Sequence, residues 1–228
     1  MASYVLPEVL TVGFLNGILD LLFPRRCTFC RKLLDKNGTN VCSTCDKELP
    51  FTKNDAEKTG DFFKICISPL YYEGVVRDSV LRFKFKEATG YTKAYGGLMA
   101  ECIRERLAGR YDLITWVPLS EKRRKKRGYD QAMLLAMSVA LELDDVAVAT
   151  LEKHTDVPAQ SGVGSDEKRR ANISGVYCVP DEELIKGKRI LLIDDVVTTG
   201  STLSECARML LQAGAEEVLC CTLARGRD

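Results

Sequence analysis

Residues 190–202, Ile-Leu-Leu-Ile-Asp-Asp-Val-Val-Thr-Thr-Gly-Ser-Thr, restrict the fold more than any other stretch of the chain. Four large apolar residues in a row read as a strand buried on both faces, the environment of a parallel sheet. The run ends in two carboxylates, Asp194 and Asp195, and passes through Val196 into a small hydroxyl-rich loop of Thr198, Thr199, Gly200, Ser201 and Thr202. A helix follows, with Leu203, Cys206, Ala207, Leu210 and Leu211 on its apolar side and Gly214 at its end. A helix N-terminus with a permissive glycine and no bulky side chains is a ready phosphate cradle. The acid pair beside it can accept hydrogen bonds from vicinal sugar hydroxyls. The competing reading is a buried strand joined to a capped helix, with Thr202 and Glu205 as a capping box; it explains the hydroxyls and leaves the adjacent acids unexplained.

A chain of 228 residues holds one full core plus a small appendage. Its apolar fraction of 46% and charged fraction of 29% are those of a globular protein. The net charge of +1 leaves any preference for nucleic acid or for acidic ligands to local patches. Strands alternating with helices from residue 112 onward imply βαβ units, hence an α/β fold with an open, mainly parallel sheet flanked by helices.

The N-terminal segment has a different character. Leu6, Leu10, Phe14, Ile18, Leu21 and Leu22 fall at helical spacing and predict an amphipathic helix, interrupted by Asn16 and Asp20 and too polar to span a membrane. Cys27 and Cys30 then form one Cys-x-x-Cys pair and Cys42 and Cys45 another, eleven residues apart. Two such knuckles place four thiolates around one ion. Zinc is the expected metal, one per chain, with iron suiting similar ligands and paired disulfides or a redox dithiol as the alternatives. The other six cysteines sit in apolar stretches and behave as small hydrophobes, which disfavours a disulfide scaffold and points to a reducing, cytoplasmic setting. We divide the chain into residues 1–50 (amphipathic helix and zinc-finger module), 51–60 (a polar linker) and 61–228 (the α/β domain).

Within that domain, residues 62–72 read as a strand or hairpin arm, and residues 75–86 as a helix with Val76, Val80, Leu81 and Phe83 inward. The interleaving of aromatic residues with Arg82, Lys84 and Lys86 would also suit stacking on single-stranded bases. Residues 92–110 are helical and residues 112–117 form a strand closed by Pro118. Between Glu121 and Gln131, six positive charges against two negative give a local net of +4. Consecutive cations repel, so we expect a mobile, solvated loop, placed after a strand end where ligand loops of parallel sheets lie. A helix over 131–143, a short strand over 146–151 and a polar loop over 152–170 follow. His154 and Arg169-Arg170-Ala171-Asn172 belong to that loop, and a catalytic histidine there is not expected. Strands over 176–179 and 218–223 complete the chain.

Together these motifs have a family resemblance. Phe-Pro-x-x-Cys-x-x-Cys and Cys-x-x-Cys, Val-Pro-Leu-Ser with a downstream Arg-Gly-Tyr-x-Gln, Arg-x-x-Asn and Asp-Asp-Val-x-Thr-Thr-Gly resemble the ComF/GntX family over nearly the whole chain. The resemblance implies a four-cysteine zinc finger attached to a type I phosphoribosyltransferase fold that binds phosphoribosyl pyrophosphate (PRPP). It places Asp194 and Asp195 on the ribose hydroxyls, near the end of their strand, with Val196 beside them and Thr198, Thr199, Gly200, Ser201 and Thr202 on the 5′-phosphate. Pro118, Leu119, Ser120 and Arg127 would form the pyrophosphate side, with Mg²⁺ bridging pyrophosphate oxygens. Asp130 stands where the family pattern usually has Asn, which either weakens pyrophosphate binding or serves the local turn.

The resemblance further implies a role in natural competence and in the uptake and handling of single-stranded DNA, with DNA-uptake proteins such as a competence helicase as partners. The alternatives are a nucleic-acid-binding competence factor without catalysis, a PRPP sensor, and a base phosphoribosyltransferase of nucleotide metabolism. Neither an acceptor nor a general base is assignable.

Overall fold

The computed structural model describes residues 24–34, 40–52, 57–85, 89–153 and 176–227. The expected N-terminal amphipathic helix, His154 and the Arg-x-x-Asn at 169–172 lie outside them. By compactness the chain divides into two units, Met1–Glu48 and Leu49–Asp228.

In the smaller unit, Arg26 and Leu33 form an antiparallel bridge around a tight turn that starts at Cys27. Helix α1, Ser43–Glu48, follows Cys42 directly and carries Cys45 in its first turn. The N–H and the hydroxyl of Thr28 both donate to the Asn40 carbonyl, at 2.9 and 3.0 Å. Phe29 is its large buried apolar side chain.

The larger unit is built on a parallel sheet, strands β1 (Ile65–Ile67), β3 (Leu113–Trp116), β6 (Arg189–Val197) and β7 (Glu217–Arg225) in the order β1-β7-β6-β3. Ile190, Leu191, Leu192 and Ile193 are each 0% exposed, so the apolar run is buried on both faces as expected, and each side chain contributes roughly 1.5–3 kcal/mol. Ile190 and Leu192 share one cluster with Val218, Cys220 and the apolar side of helix α6 (Ser201–Gln212). Helices α3 (Thr89–Arg106) and α5 (Gln131–Glu142) pack on each other and against strands of this sheet. They approach so closely that a Cβ on Gly96 would lie 2.1 Å from the Ser138 hydroxyl, which only glycine permits.

Several local expectations change. Residues 62–72, read as a strand or hairpin arm, hold two short strands, β1 and β2 (Leu70–Tyr71), which both pair in parallel with β7. Residues 51–60, expected as a linker, carry antiparallel bridges from Phe51 to Leu70 and from Lys58 to Cys66. The strand expected over 146–151 reduces to a parallel bridge between Ala147 and Ile114. It leads into a two-stranded ribbon of β4 (Glu152–Lys153) and β5 (Tyr177–Cys178).

The basic stretch departs most. It forms helix α4, Glu121–Arg127, with none of its residues buried. Ser120 accepts from the Arg123 N–H at its start, Gly128 closes it at φ 83°, and Lys125 reaches Glu121 at 2.7 Å. Caps and an (i, i+4) pair offset the repulsion among cations whose heads all reach solvent.

Candidate functional site

The acid pair lies where β6 has lost one neighbour and kept the other. Its ladder to β3 ends at Ile193, whereas pairing with β7 continues to Val197. The strand therefore ends at the acids on one edge only, and the pleat sends the two carboxylates to opposite faces. The Asp194 charge bears on Cys206 and Tyr177, and the Asp195 charge on Tyr95 and Asp130. Asp195 is 9% exposed, and its N–H donates to the Asp194 carboxylate at 2.8 Å. Burial of the Asp194 carboxyl, with the neighbouring Asp195 charge added, pushes its pKa up to about 8.

Beyond Val197, Thr198 and Thr199 are exposed, Gly200 is buried, and Val196, Ser201 and Thr202 are intermediate. Gly200 adopts φ 80° as the N-cap of α6, so the helix carries no side-chain cap. The competing reading of Thr202 as the cap does not hold, since the helix already begins at Ser201, and Glu205 holds Arg208 through two contacts of 2.7 and 2.8 Å. The loop is fixed from outside: the Lys58 ammonium donates to the Thr198 carbonyl at 2.8 Å, and the Gly226 N–H to the Val197 carbonyl at 2.9 Å. Within it, the Thr199 and Ser201 hydroxyls lie 3.0 Å apart.

Pro118, Leu119 and Ser120 leave the end of β3 and line a cleft of about 610 Å³ together with Trp116, Met133 and Leu151. The cationic side chains of Lys122 and Arg124 stand on its rim side. Asp130 closes this segment: one carboxylate oxygen accepts from the Leu119 N–H at 2.7 Å, the other from the Met133 N–H at 3.2 Å as the N-cap of α5. Burial raises the pKa of Asp130 against these N–H groups, and the Asp195 charge adds to the rise. The geometry thus gives this Asp the turn-forming role. Arg127 donates to the Gln131 side chain at 2.7 Å and lies 5.3 Å from the centre of the Phe85 ring.

Lys84, which sequence reasoning set among possible phosphate contacts of a single strand, instead meets the acid pair. It is the penultimate residue of helix α2 (Gly74–Phe85), and its ammonium lies 2.9 Å from the Asp195 carboxylate. The available signal was a lysine between Phe83 and Phe85, of which Phe83 is fully buried and Phe85 exposed.

In the smaller unit the sulfurs of Cys27, Cys30, Cys42 and Cys45 all lie within 4.8 Å of one another, with Cys30 and Cys42 3.6 Å apart. A tetrahedral ion with metal–sulfur bonds of ~2.3 Å needs sulfur separations of ~3.8 Å, so the set fits. No pair is joined as a disulfide. Burial raises the Cys27 thiol, but the N–H groups of Cys30, Cys42 and Phe29 outweigh it and bring its pKa down to about 7. Burial and the surrounding sulfurs push Cys45 up, as expected of crowded thiols that need a cation to ionise together.

Residues 126–228 match the phosphoribosyl transferase domain family and residues 18–60 the double zinc ribbon domain family. The four-cysteine set is accordingly a structural zinc site. The DNA utilization protein YhgH of Escherichia coli (strain K12) is 34% identical over 228 residues, spanning 89% of this chain and 100% of that protein. Competence protein F of Haemophilus influenzae is 26% identical over 225 residues, 89% of this chain and 98% of that one. Competence protein ComFC of Bacillus subtilis is 25% identical over 210 residues, 87% of this chain and 83% of that one. With a relative aligned end to end at 34% identity, and with both domains matched in order, the chain belongs to the ComF/GntX family of competence proteins.

Proposed function

We propose that this protein binds PRPP with Mg²⁺ at the ends of β3 and β6, and serves natural competence in the cytoplasm through that site. One observation carries the reading: two carboxylates at the end of a buried parallel strand are followed by a left-handed glycine opening a helix with no side-chain cap. The open first turn of α6 and the hydroxyls of 198–202 suit a 5′-phosphate. Asp194 and Asp195 suit the ribose hydroxyls, and the cleft beside Pro118, Leu119 and Ser120 suits the pyrophosphate. Mg²⁺ would neutralise pyrophosphate oxygens while keeping several waters. A mouth where the Asp195 charge helps raise the pKa of both Asp130 and Asp194 is a fitting neighbour for a divalent cation.

The test is calorimetric titration with Mg²⁺ and PRPP of the parent and of Asp194→Ala with Asp195→Ala. Binding by the parent that the double variant loses is the expected result, and equal binding by both sinks the assignment. If the bound group is transferred, a nitrogen nucleophile displaces pyrophosphate at C1, and the protein contributes orientation and exclusion of water. Pyrophosphate release measured against a panel of nucleobases separates transfer from sensing.

A second reading rests on α4, whose six cations all remain unburied. They suit the backbone of single-stranded DNA, alone or passed on from an uptake partner. Affinity that falls steeply with salt, with a shallower slope after neutralising residues 122–127, supports it; salt-independent binding removes it.

A further inference from the structure

The contact between α2 and the acid pair deepens the PRPP reading and rests on it. We infer that Lys84 is a pyrophosphate-binding residue held by Asp195: its ammonium pairs with that carboxylate and turns to the leaving group when PRPP enters. Asp194 and Asp195 stand near the end of β6, and the Asp195 charge bears on Asp130, which follows β3. Among the described residues, the cation ion-paired with them is Lys84. Its side chain is 21% exposed and that of Asp195 12%, so the pair is largely withdrawn from bulk water.

The backbone that presents this ammonium is clamped. Phe83 packs edge-on against Tyr95 at 5.4 Å and tilted against Tyr91 and Tyr129, and the Tyr129 hydroxyl donates to the Phe83 carbonyl. Phe85, the next residue after the lysine, lies under Arg127. Arg127 in turn holds Gln131, whose neighbour Asp130 holds the Leu119 N–H. A continuous set of contacts thus runs from the loop read as the pyrophosphate side to the acids read as the ribose side, and Lys84 stands at its junction. A lysine suits a cation that changes partners, because its charge is compact and its stem has four flexible carbons. PRPP brings phosphate oxygens richer in charge than the single carboxylate it would release.

The test compares Mg²⁺–PRPP with ribose 5-phosphate, which lacks the pyrophosphate, for the parent, Lys84→Met and Lys84→Arg. The parent is expected to prefer PRPP. Lys84→Met should lower PRPP affinity roughly tenfold or more, the size of one lost charge-assisted contact, while leaving ribose 5-phosphate binding unchanged or tighter. Lys84→Arg should keep part of the preference. Equal losses for both ligands would make Lys84 a mere support for Asp195 and overturn the inference, as would unchanged PRPP affinity or a parent indifferent to the pyrophosphate. A parent that binds neither ligand refutes the underlying site reading itself. Thermal midpoints verify folding, and Lys84→Gln replaces Lys84→Met if the latter unfolds.

Discussion

Two segments leave the same end of the sheet from neighbouring strands and treat their backbones in opposite ways. After β3, the donors are matched internally: Ser120 caps α4, Gly128 returns its N–H to the Arg124 carbonyl, and Asp130 takes the N–H groups of Leu119 and Met133. After β6, the helix opens at a glycine that offers no cap of its own, its first N–H reaches the Thr199 hydroxyl only at 3.4 Å, and the loop is held from outside by Lys58 and Gly226. A segment that satisfies itself has committed its donors to the fold, whereas an open one presents them to a ligand. The contrast ranks the two halves of the proposed site, since the Leu119 N–H is held at 2.7 Å before any pyrophosphate arrives, whereas the first N–H of α6 meets the Thr199 hydroxyl only at a long 3.4 Å.

The largest expected effect concerns the open side. Between the ordinary carboxyl value of 3.8 and about 8, folded Asp194 keeps a proton that the unfolded chain has released. Its contribution to stability is therefore full at low pH, declines as pH rises and is lost above about 8. Asp194→Asn, neutral throughout, should match the parent near pH 4 and exceed it by on the order of a few kcal/mol above pH 8, while binding of PRPP is impaired. Thermal melts from pH 4 to 9 check this; parallel curves would show that the carboxyl is ionised in the folded protein.

On the closed side, Asp130→Ala should cost about 2–4 kcal/mol in urea unfolding, combining a lost cap with a stranded Leu119 N–H. Asp130→Asn keeps one of the two acceptor oxygens in use and should cost less, about 1–2 kcal/mol. If the Asn variant loses as much as the Ala variant, the charge rather than the cap matters there. Gly200→Ala should cost about 1–2 kcal/mol, because φ 80° is strained for any residue with a Cβ, and should weaken PRPP binding more than it weakens the fold. Ser120→Ala should cost only about 0.5 kcal/mol, at the low end for a cap because its bond is a long 3.4 Å. A larger loss would mean that α4 is essential to the loop it closes.

The same contrast explains what the sequence disclosed. The apolar run before Asp194, the glycine of the loop and the amphipathic pattern of α6 are local signals, and the structure follows them. The helix at 121–127 was misjudged because six cations outweighed quieter signs, a serine three residues before Arg123, Glu121 four before Lys125, and Gly128 at the end. Asp130 immediately before an apolar helix is an ordinary N-cap signal, and the structure gives it that role. The local signal at Lys84, a lysine between Phe83 and Phe85, could not name its partner, since Asp195 lies on a strand that only the sheet topology brings to it. The parallel pairing of β1 and β2 with the same strand is non-local in the same way.

The thiols of the core give the β6–β7 centre a built-in clock. Cys66 and Cys220 are register partners on adjacent strands, and Cys206 and Cys221 are buried with them. Burial raises all four pKa values, that of Cys66 to about 12, so in the closed protein they are poor nucleophiles. Their alkylation can proceed only through openings of the sheet, and the rate at which each is labelled reads the free energy of the opening that exposes it. A ligand seated at the end of β6 would slow that labelling without touching a single sulfur, making the cysteines native reporters of whether the site is filled.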